Sequence, residues 1–417
     1  MPLPEEPVQV PPEALALLAS LRAEFEGQLP KGTRFGVGAK QTGGEFTPEL
    51  ALIVYVPQKL PVNRLRPGQL IPEVWRSGDV ELKTDVVESN PVPIAGIVND
   101  NNFYKPLLGG IEIQTIEIGD DGLATLHTGT LGCIVQRRSD GARGGLTCEH
   151  VAPMGLDVWQ PRQGLGSGAF QASIVGKSVK AIPASGIPGL DCAMIELNGS
   201  RGEPVARIQD IGPVEGSTAE LSLFQPVKKR GRTTGLTTGQ IVGLVPGSNP
   251  FEVSWIVCGT DPPGGLFCWH GDSGSVVLNV RHEVLGLLGF MDPAFTGPDG
   301  TPSVSIGWAK AITPILDASA LDIEIAVSPP KVERVQPETA LGVLSQGGFT
   351  QIDGWGFDAG SQVSFGGVLA LNVIPASPRR LIVTPPVQFI PGQTVDVIVM
   401  NSLGEESLPA PGARFTY

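Results

Sequence analysis

Residues 269–278 read "WHGDSGSVVL", a serine between Asp272 and Gly274 with an apolar run behind it. A serine hydroxyl is a weak nucleophile at neutral pH and needs a neighbouring base. That base needs a buried carboxylate to fix its tautomer and stabilise its charged form. The chain has four histidines, His127, His150, His270 and His282. His150 ends "GGLTCEH", where an apolar strand gives way to a turn, and Asp191 opens "DCAMIEL". Taken singly, each has a structural reading: a histidine closing a strand, an aspartate in a turn, a polar Gly-Asp-Ser-Gly loop. Taken together, His150, Asp191 and Ser273 are the residue types of nucleophilic acyl transfer. Glycines at 271 and 274 let the backbone turn sharply, so that the amides of Gly271 and Ser273 can converge as an oxyanion hole. His270 lies three residues before the serine on a chain that turns at Gly271, which makes it a poor base.

These residues must be positioned by the segments around them. Residues 13–26, "EALALLASLRAEFE", place Leu15, Leu18, Leu21 and Phe25 on one helical stripe. "RFGVGAK", the continuous apolar run "ELALIVYV" and "TDVVE" read as strands, so residues 1–104 form a small α+β domain with no histidine or cysteine. From 105 to 326 short β-type runs recur between glycine-rich turns: "GTLGCIVQ", "GGLTCEHVA", "DCAMIELN", "TTGQIVGLV", "FEVSWIVCG", "GSVVLNV" and "VLGLLGF". Such a texture predicts a barrel or sandwich. "AKAITPILDASALDI" at 309–323 predicts a closing helix, and "AVSPP" at 326–330 a linker. Residues 329–417 alternate as short strands bounded by Gly and Pro, a small β-sandwich.

Composition narrows the classes. The 417 residues exceed one ordinary core, and 55 glycines with 39 prolines at 41% hydrophobic content suit many short strands. A formal charge of −13 disfavours a nucleic-acid partner, the only dense basic cluster being "KKRGR" at 228–232. Five cysteines without a C-x-x-C pair argue against a metal centre. Cys133 with Cys148, and Cys258 with Cys268, could lie on neighbouring strands, but reduced, buried thiols are the expectation. No stretch reaches the length of a membrane span, and the first residues lack the pattern of a secretory signal, so a cytoplasmic location is expected.

Over residues 105–325 the chain resembles the chymotrypsin (trypsin-like) serine peptidases. The stretches that carry the likeness are "GTLGCIV…GGLTCEHVA", "GLDCAMIEL", "KKRGRTTGLTTGQI" and "WHGDSGSVVLNV…VLGLLGF". The resemblance implies a mainly β chain: a chymotrypsin-like double β-barrel, preceded by a small α+β domain and followed by an immunoglobulin-like sandwich. It implies His150 as general base, Asp191 as its orienting partner, Ser273 as nucleophile, Gly271 and Ser273 as oxyanion donors, a protein or peptide substrate, and no cofactor. Through "VQPETALGVLSQGGFTQIDGWGF", "VSFGG", "IVTPP" and "VDVIVMNSLGEES", residues 329–417 are similar to IPT/TIG immunoglobulin-like modules, which implies recognition or spacing and a possible protein partner there.

Further expectations follow from the resemblance. Asp272 turns inward because Ser273 turns outward, and a buried carboxylate needs a partner. "GRTTG" resembles the bacterial segment whose arginine supplies one, so an Arg232–Asp272 ion pair is expected. Phe267 and Cys268 line the base of the substrate pocket, and Gly289, Phe290 and Met291 form one wall. With no acid at the base, a small or medium apolar side chain is the expected preference. Two departures from the family are Glu149 beside the base and Ser275 where many members have glycine. Besides a general endopeptidase, two readings stay open: a catalytically silent scaffold that binds a protein partner, and a peptidase with one dedicated target.

Overall fold

The computed structural model describes the chain except for residues 1–6, 43–44, 90–91, 94–99, 101, 163–172, 186–188, 246–253, 260–266, 297–301, 346, 358–359, 378–379, 388–389 and 402–404. The protein is mainly β, and its residues group into two compact units. One comprises 1–212 and 217–326, the other 213–216 and 327–417.

The first unit begins with helix Pro12–Phe25, opened by proline at its first position, where the missing N–H is no loss. Its buried face is Ala14, Leu17, Leu18, Leu21 and Phe25. The expected stripe is therefore shifted: Leu15 is 42% exposed, and Leu17 takes its place. A spacing of 14, 17, 18, 21 and 25 follows the helical repeat more closely than one that includes 15.

The helix packs on strands Arg34–Thr42, Glu45–Val56 and Val80–Glu88. In "ELALIVYV", Leu52, Val54 and Val56 face the helix, while Ala51, Ile53 and Tyr55 belong to a second core on the opposite side. Burial on both faces explains why the run is continuous rather than alternating. That second core belongs to the following strands, because Val37 and Gly38 pair with Leu244 and Gly243. The amino-terminal strands thus extend an eleven-stranded sheet that contains Pro226–Gly231, Gly235–Val245, Ser254–Gly259, Val276–Leu278, Val284–Thr296 and Pro302–Ala311. Strands from residues 1–104 and strands from residues 226–311 therefore share one sheet.

A second, eight-stranded sheet contains Ile111–Ile118, Ala124–Leu131, Cys133–Arg137, Arg143–Thr147, Asp157–Gln160, Ser173–Ile182, Cys192–Leu197 and Ile323–Ile325. The expected closing helix is shorter than the sequence suggested. Residues up to Ala311 stay in a strand, and only Ile312–Asp317 is helical.

In the other unit, Lys331–Gln336, Thr350–Trp355, Asn372–Ser377 and Arg380–Thr384 form one sheet. Gln362–Phe365, Val368–Leu369, Thr394–Met400 and Arg414–Thr416 form another. Val332, Ile352 and Leu381 from the first share a core with Val363, Val397 and Phe415 from the second, which makes a β-sandwich. Among the described residues no helix is long and apolar enough to cross a membrane.

The helix-on-sheet packing yields a measurable expectation. Leu21 has no exposed surface, so Leu21→Ala should lower stability by about 2–5 kcal/mol. Because its sheet is continuous with the later strands, denaturant unfolding should show one weakened transition for the whole unit. A separate early transition confined to the amino-terminal segment would contradict the shared sheet.

Candidate active site

The register of one strand pair brings His150 to Asp191. Ala193 pairs with Thr147 in antiparallel fashion, so the chain leaving Thr147 and the chain entering Cys192 run side by side at the same sheet end. Asp191 sits there with a positive φ of 48°, a backbone state that aspartate tolerates better than most residues. Its carboxylate is 1% exposed and lies 2.8 Å (Oδ2) and 3.0 Å (Oδ1) from His150 Nδ1. Oδ1 also accepts the His150 backbone N–H at 3.2 Å. The other ring nitrogen, Nε2, is 2.8 Å from Ser273 Oγ. The serine hydroxyl has a second acceptor in the Gly289 carbonyl at 3.0 Å. With Asp191 accepting from Nδ1, Nε2 is left to accept the serine proton. The structure therefore brings together His150, Asp191 and Ser273.

Ser273 arrives from the other sheet, and its turn is clasped by the first. The Thr130 N–H donates to the Ser273 carbonyl at 2.8 Å, and the Thr130 hydroxyl donates to the Gly271 carbonyl at 3.0 Å. The Gly274 N–H donates to the Leu288 carbonyl at 2.8 Å. Gly271 and Gly274 have φ of 98° and 89°. A Cβ at Gly274 would lie 2.2 Å from Thr147 Oγ1, and one at Gly271 would lie 2.4 Å from Thr233 Oγ1. Both conformation and space therefore require glycine.

The oxyanion geometry follows from peptide planarity. The His270 carbonyl accepts the Thr233 hydroxyl at 2.6 Å, so the Gly271 N–H on the opposite side of that planar peptide points away from Thr233. The Asp272 carbonyl accepts the Ser275 N–H at 3.0 Å and its hydroxyl at 2.6 Å, which turns the Ser273 N–H away in the same manner. Among the described residues, neither of these two N–H groups has an acceptor. Ser275, the departure from glycine, is thus a buried and satisfied hydroxyl.

Asp272 is buried, as expected, but with a different cation. Its Oδ2 lies 3.1 Å from Lys229 Nζ, and both side chains have no exposure. Oδ2 also accepts the Thr234 hydroxyl at 2.6 Å and the Trp269 N–H at 3.0 Å. Oδ1 accepts the N–H groups of Thr233 and Thr234 at 2.9 and 3.2 Å. Lys229 also donates to Thr234 Oγ1 and, at 3.3 Å, to the Gly235 carbonyl. The expected Arg232–Asp272 pair is corrected: Arg232 makes its ion pair with Glu112, Nη1 to Oε2 at 2.9 Å. The distance is that of an ion pair, although the N–H direction is not aligned for a hydrogen bond. Burial raises the Glu112 pKa against the pull of Arg232 and Arg162, and burial lowers that of Arg232. The pattern that identifies Lys229 was present in the sequence. Lys229 lies two residues from Val227 on strand Pro226–Gly231, so it shares the face of a core residue. Arg230, on the alternate face, pairs with Asp100 and Asp210. The basic cluster is therefore largely consumed inside the fold.

The expected pocket residues divide. Phe267, Cys268 and Met291 are fully buried in the core of the eleven-stranded sheet. Gly289 and Phe290 lie at the site itself, the Phe290 ring 5.9 Å from that of His150. Residues 260–266, which lead into Phe267, are outside the described residues. His127, which sequence reasoning passed over, adjoins His150: Nδ1 is 3.1 Å from the His150 carbonyl and Nε2 is 3.1 Å from Glu117. Glu149 has its carboxyl pKa raised, first by burial and then by the charge of Asp191.

Cys148, His150 and Asp191 are the one group of potential metal-ligating side chains among the described residues. Burial and the Asp191 charge hold the Cys148 thiol well above its ordinary range, and its Sγ donates to the Leu288 carbonyl at 3.3 Å. A neutral thiol beside an occupied carboxylate suits hydrogen bonding better than metal ligation. Cys133, Cys148, Cys192 and Cys268 are all buried thiols, and the side chain of Cys258 lies outside the described residues.

No family model matches the chain, and no curated protein matches it. Among solved structures, Cellulomonas bogoriensis chymotrypsin is similar at 20% identity over 53% of this chain and 99% of its own, with a TM-score of 0.34. Thermobifida fusca protease A is similar at 19% identity over 53% and 99%, also with a TM-score of 0.34. An HtrA-type protease, AlgW with a decapeptide, covers 75% of this chain and 96% of its own at 13% identity and a TM-score of 0.31.

Two expectations follow from the site. Removing one partner of a buried pair leaves a bare charge and costs about 3–5 kcal/mol. Lys229→Met should therefore destabilise the protein by that order and slow reaction of Ser273 with a fluorophosphonate. Arg232→Met should leave the Ser273 reaction rate much closer to that of the unaltered protein. Equal rates for both variants would show that Lys229 does not support the turn. For the thiols, burial pushes Cys133 up to about 12. The folded state holds this proton more tightly, so the associated stability is full below the ordinary thiol range near about 8.5 and declines as pH rises toward the folded value. Iodoacetamide should leave Cys133, Cys148, Cys192 and Cys268 unmodified in native protein at neutral pH and label them in urea, as read by peptide mass spectrometry.

Proposed function

We propose that the protein is a serine endopeptidase that hydrolyses peptide bonds through an acyl-enzyme, with no cofactor. The observation that carries the reading is the continuous chain Asp191–His150–Ser273, with hydrogen-bonding distances of 2.8 Å on both sides of the imidazole. In this reaction His150 Nε2 takes the Ser273 proton as Oγ attacks the substrate carbonyl carbon. The N–H groups of Gly271 and Ser273 stabilise the resulting oxyanion. Asp191 holds the tautomer and favours the imidazolium. The leaving amine then takes the proton from Nε2 as the C–N bond breaks. Water, deprotonated by the same nitrogen, hydrolyses the ester and returns the proton to Ser273. The resemblance of residues 105–325 to chymotrypsin-like peptidases supports the same reading. The carboxy-terminal sandwich, through its likeness to IPT/TIG modules, is assigned a recognition or spacing role.

A fluorophosphonate probe tests the nucleophile, and digestion of a peptide library tests turnover. Labelling should occur at Ser273 and vanish in Ser273→Ala. Asp191→Asn should retain the fold and lose about 10⁴-fold in kcat, since the asparagine cannot stabilise the imidazolium. Well-folded protein that is neither labelled nor active would favour the silent scaffold.

A further inference from the structure

The strand that carries Gly289 orders the groups along one of its edges. At residues 284–287 that edge is paired with Val276–Leu278. At Leu288 it is met by the backbone of Gly274 and Ser275, and at Gly289 by the Ser273 hydroxyl. The next two residues, Phe290 and Met291, pair with Pro93 and Val92 in antiparallel fashion. The opposite edge is already taken there, because Phe290 and Met291 also pair with Trp308 and Gly307. Val92–Pro93 therefore continues the edge on which Ser273 lies, immediately past the nucleophile.

Direction matters as much as place. The antiparallel register runs from Val92, opposite Met291, to Pro93, opposite Phe290. The segment thus advances toward Gly289 and Ser273 in its amino-to-carboxy direction. An extended peptide gains affinity by adding a strand to such an edge, and one added antiparallel would run toward Ser273 in the same sense as Val92–Pro93.

From this juxtaposition we infer that Val92–Pro93 holds the place of the acyl side of a peptide substrate, so that the protein covers its own cleft and substrates bind by displacing it. The inference rests on the peptidase reading above. The pairing is brief: it spans two residues, and Pro93 has no N–H, so Val92 supplies the segment's only backbone donor. A short strand with one donor is a weak competitor, as a displaceable cover must be. An intramolecular competitor lowers the fraction of competent protein and therefore raises KM rather than changing kcat.

The test uses the full chain with two readouts. A small fluorophosphonate reports on Ser273, and an extended peptide substrate reports on the strand edge. Val92→Pro removes the donor; it should raise kcat/KM for the peptide about tenfold, mostly through KM, while the labelling rate changes less than about twofold. Because that variant could fold poorly, a second one locks the opposed residues. In Pro93→Cys/Phe290→Cys, the oxidised form should turn over peptide at least about tenfold more slowly than the same protein after reduction. Equal turnover of its oxidised and reduced forms would overturn the inference, as would unchanged KM in a folded Val92→Pro. Absence of Ser273-dependent labelling in the unaltered chain would instead remove the peptidase reading, and this inference with it.

Discussion

The site depends on a carboxylate kept in a dry interior. Asp272 precedes Ser273 and points away from it into the protein, where it has no exposure. Such a charge is tolerable only when it is paired and fully hydrogen-bonded. Lys229 supplies the opposite charge, and the backbone of Thr233, Thr234 and Trp269 supplies donors. Those contacts pull the loop 269–272 against the 233–234 turn. The His270 and Asp272 carbonyls are then occupied, and the two N–H groups opposite them are turned the other way. An inward ion pair thereby orients outward donors that it never touches.

The serine turn is reached from one sheet and His150 and Asp191 from the other, so the three side chains meet at the seam between the sheets. Thr130 is central to that seam. Its N–H and hydroxyl hold the carbonyls of Ser273 and Gly271, and its own carbonyl accepts the Thr147 hydroxyl at 2.8 Å, next to the strand end that leads to His150. One residue thus couples the serine turn to the strand that presents the histidine. Neither glycine of the turn has room for a side chain against this seam.

The amino-terminal segment shows how local pattern and global placement diverge. Its helix and strands were legible because apolar residues recur at the helical repeat and in a continuous run. That the run lies between two cores, one under the helix and one shared with the later strands, depends on pairing with residues some two hundred positions downstream. Hydropathy carries no information about which strand edge will be joined. The same holds for Val92–Pro93, whose pairing with Phe290 and Met291 has no signature in its own two letters.

Legibility at the site followed the range of the interaction. His150, Asp191 and Ser273 could be singled out because their residue types and flanking glycines and strand runs are local features. The mainly β class and the carboxy-terminal sandwich could be read for the same reason: turn residues and short apolar alternation repeat along the chain. The partner of Asp272 could not be chosen that way. Lys229 and Arg232 are three residues apart in one basic cluster, and either has the required charge. Strand alternation put Lys229 on the core face with Val227, whereas the chain beyond Gly231 carried Arg232 to Glu112. The sequence by itself determined which residue types were present to do chemistry and which segments would be strands. Only the tertiary structure decided which charges meet and which edges pair, because both depend on distances between segments remote in the chain.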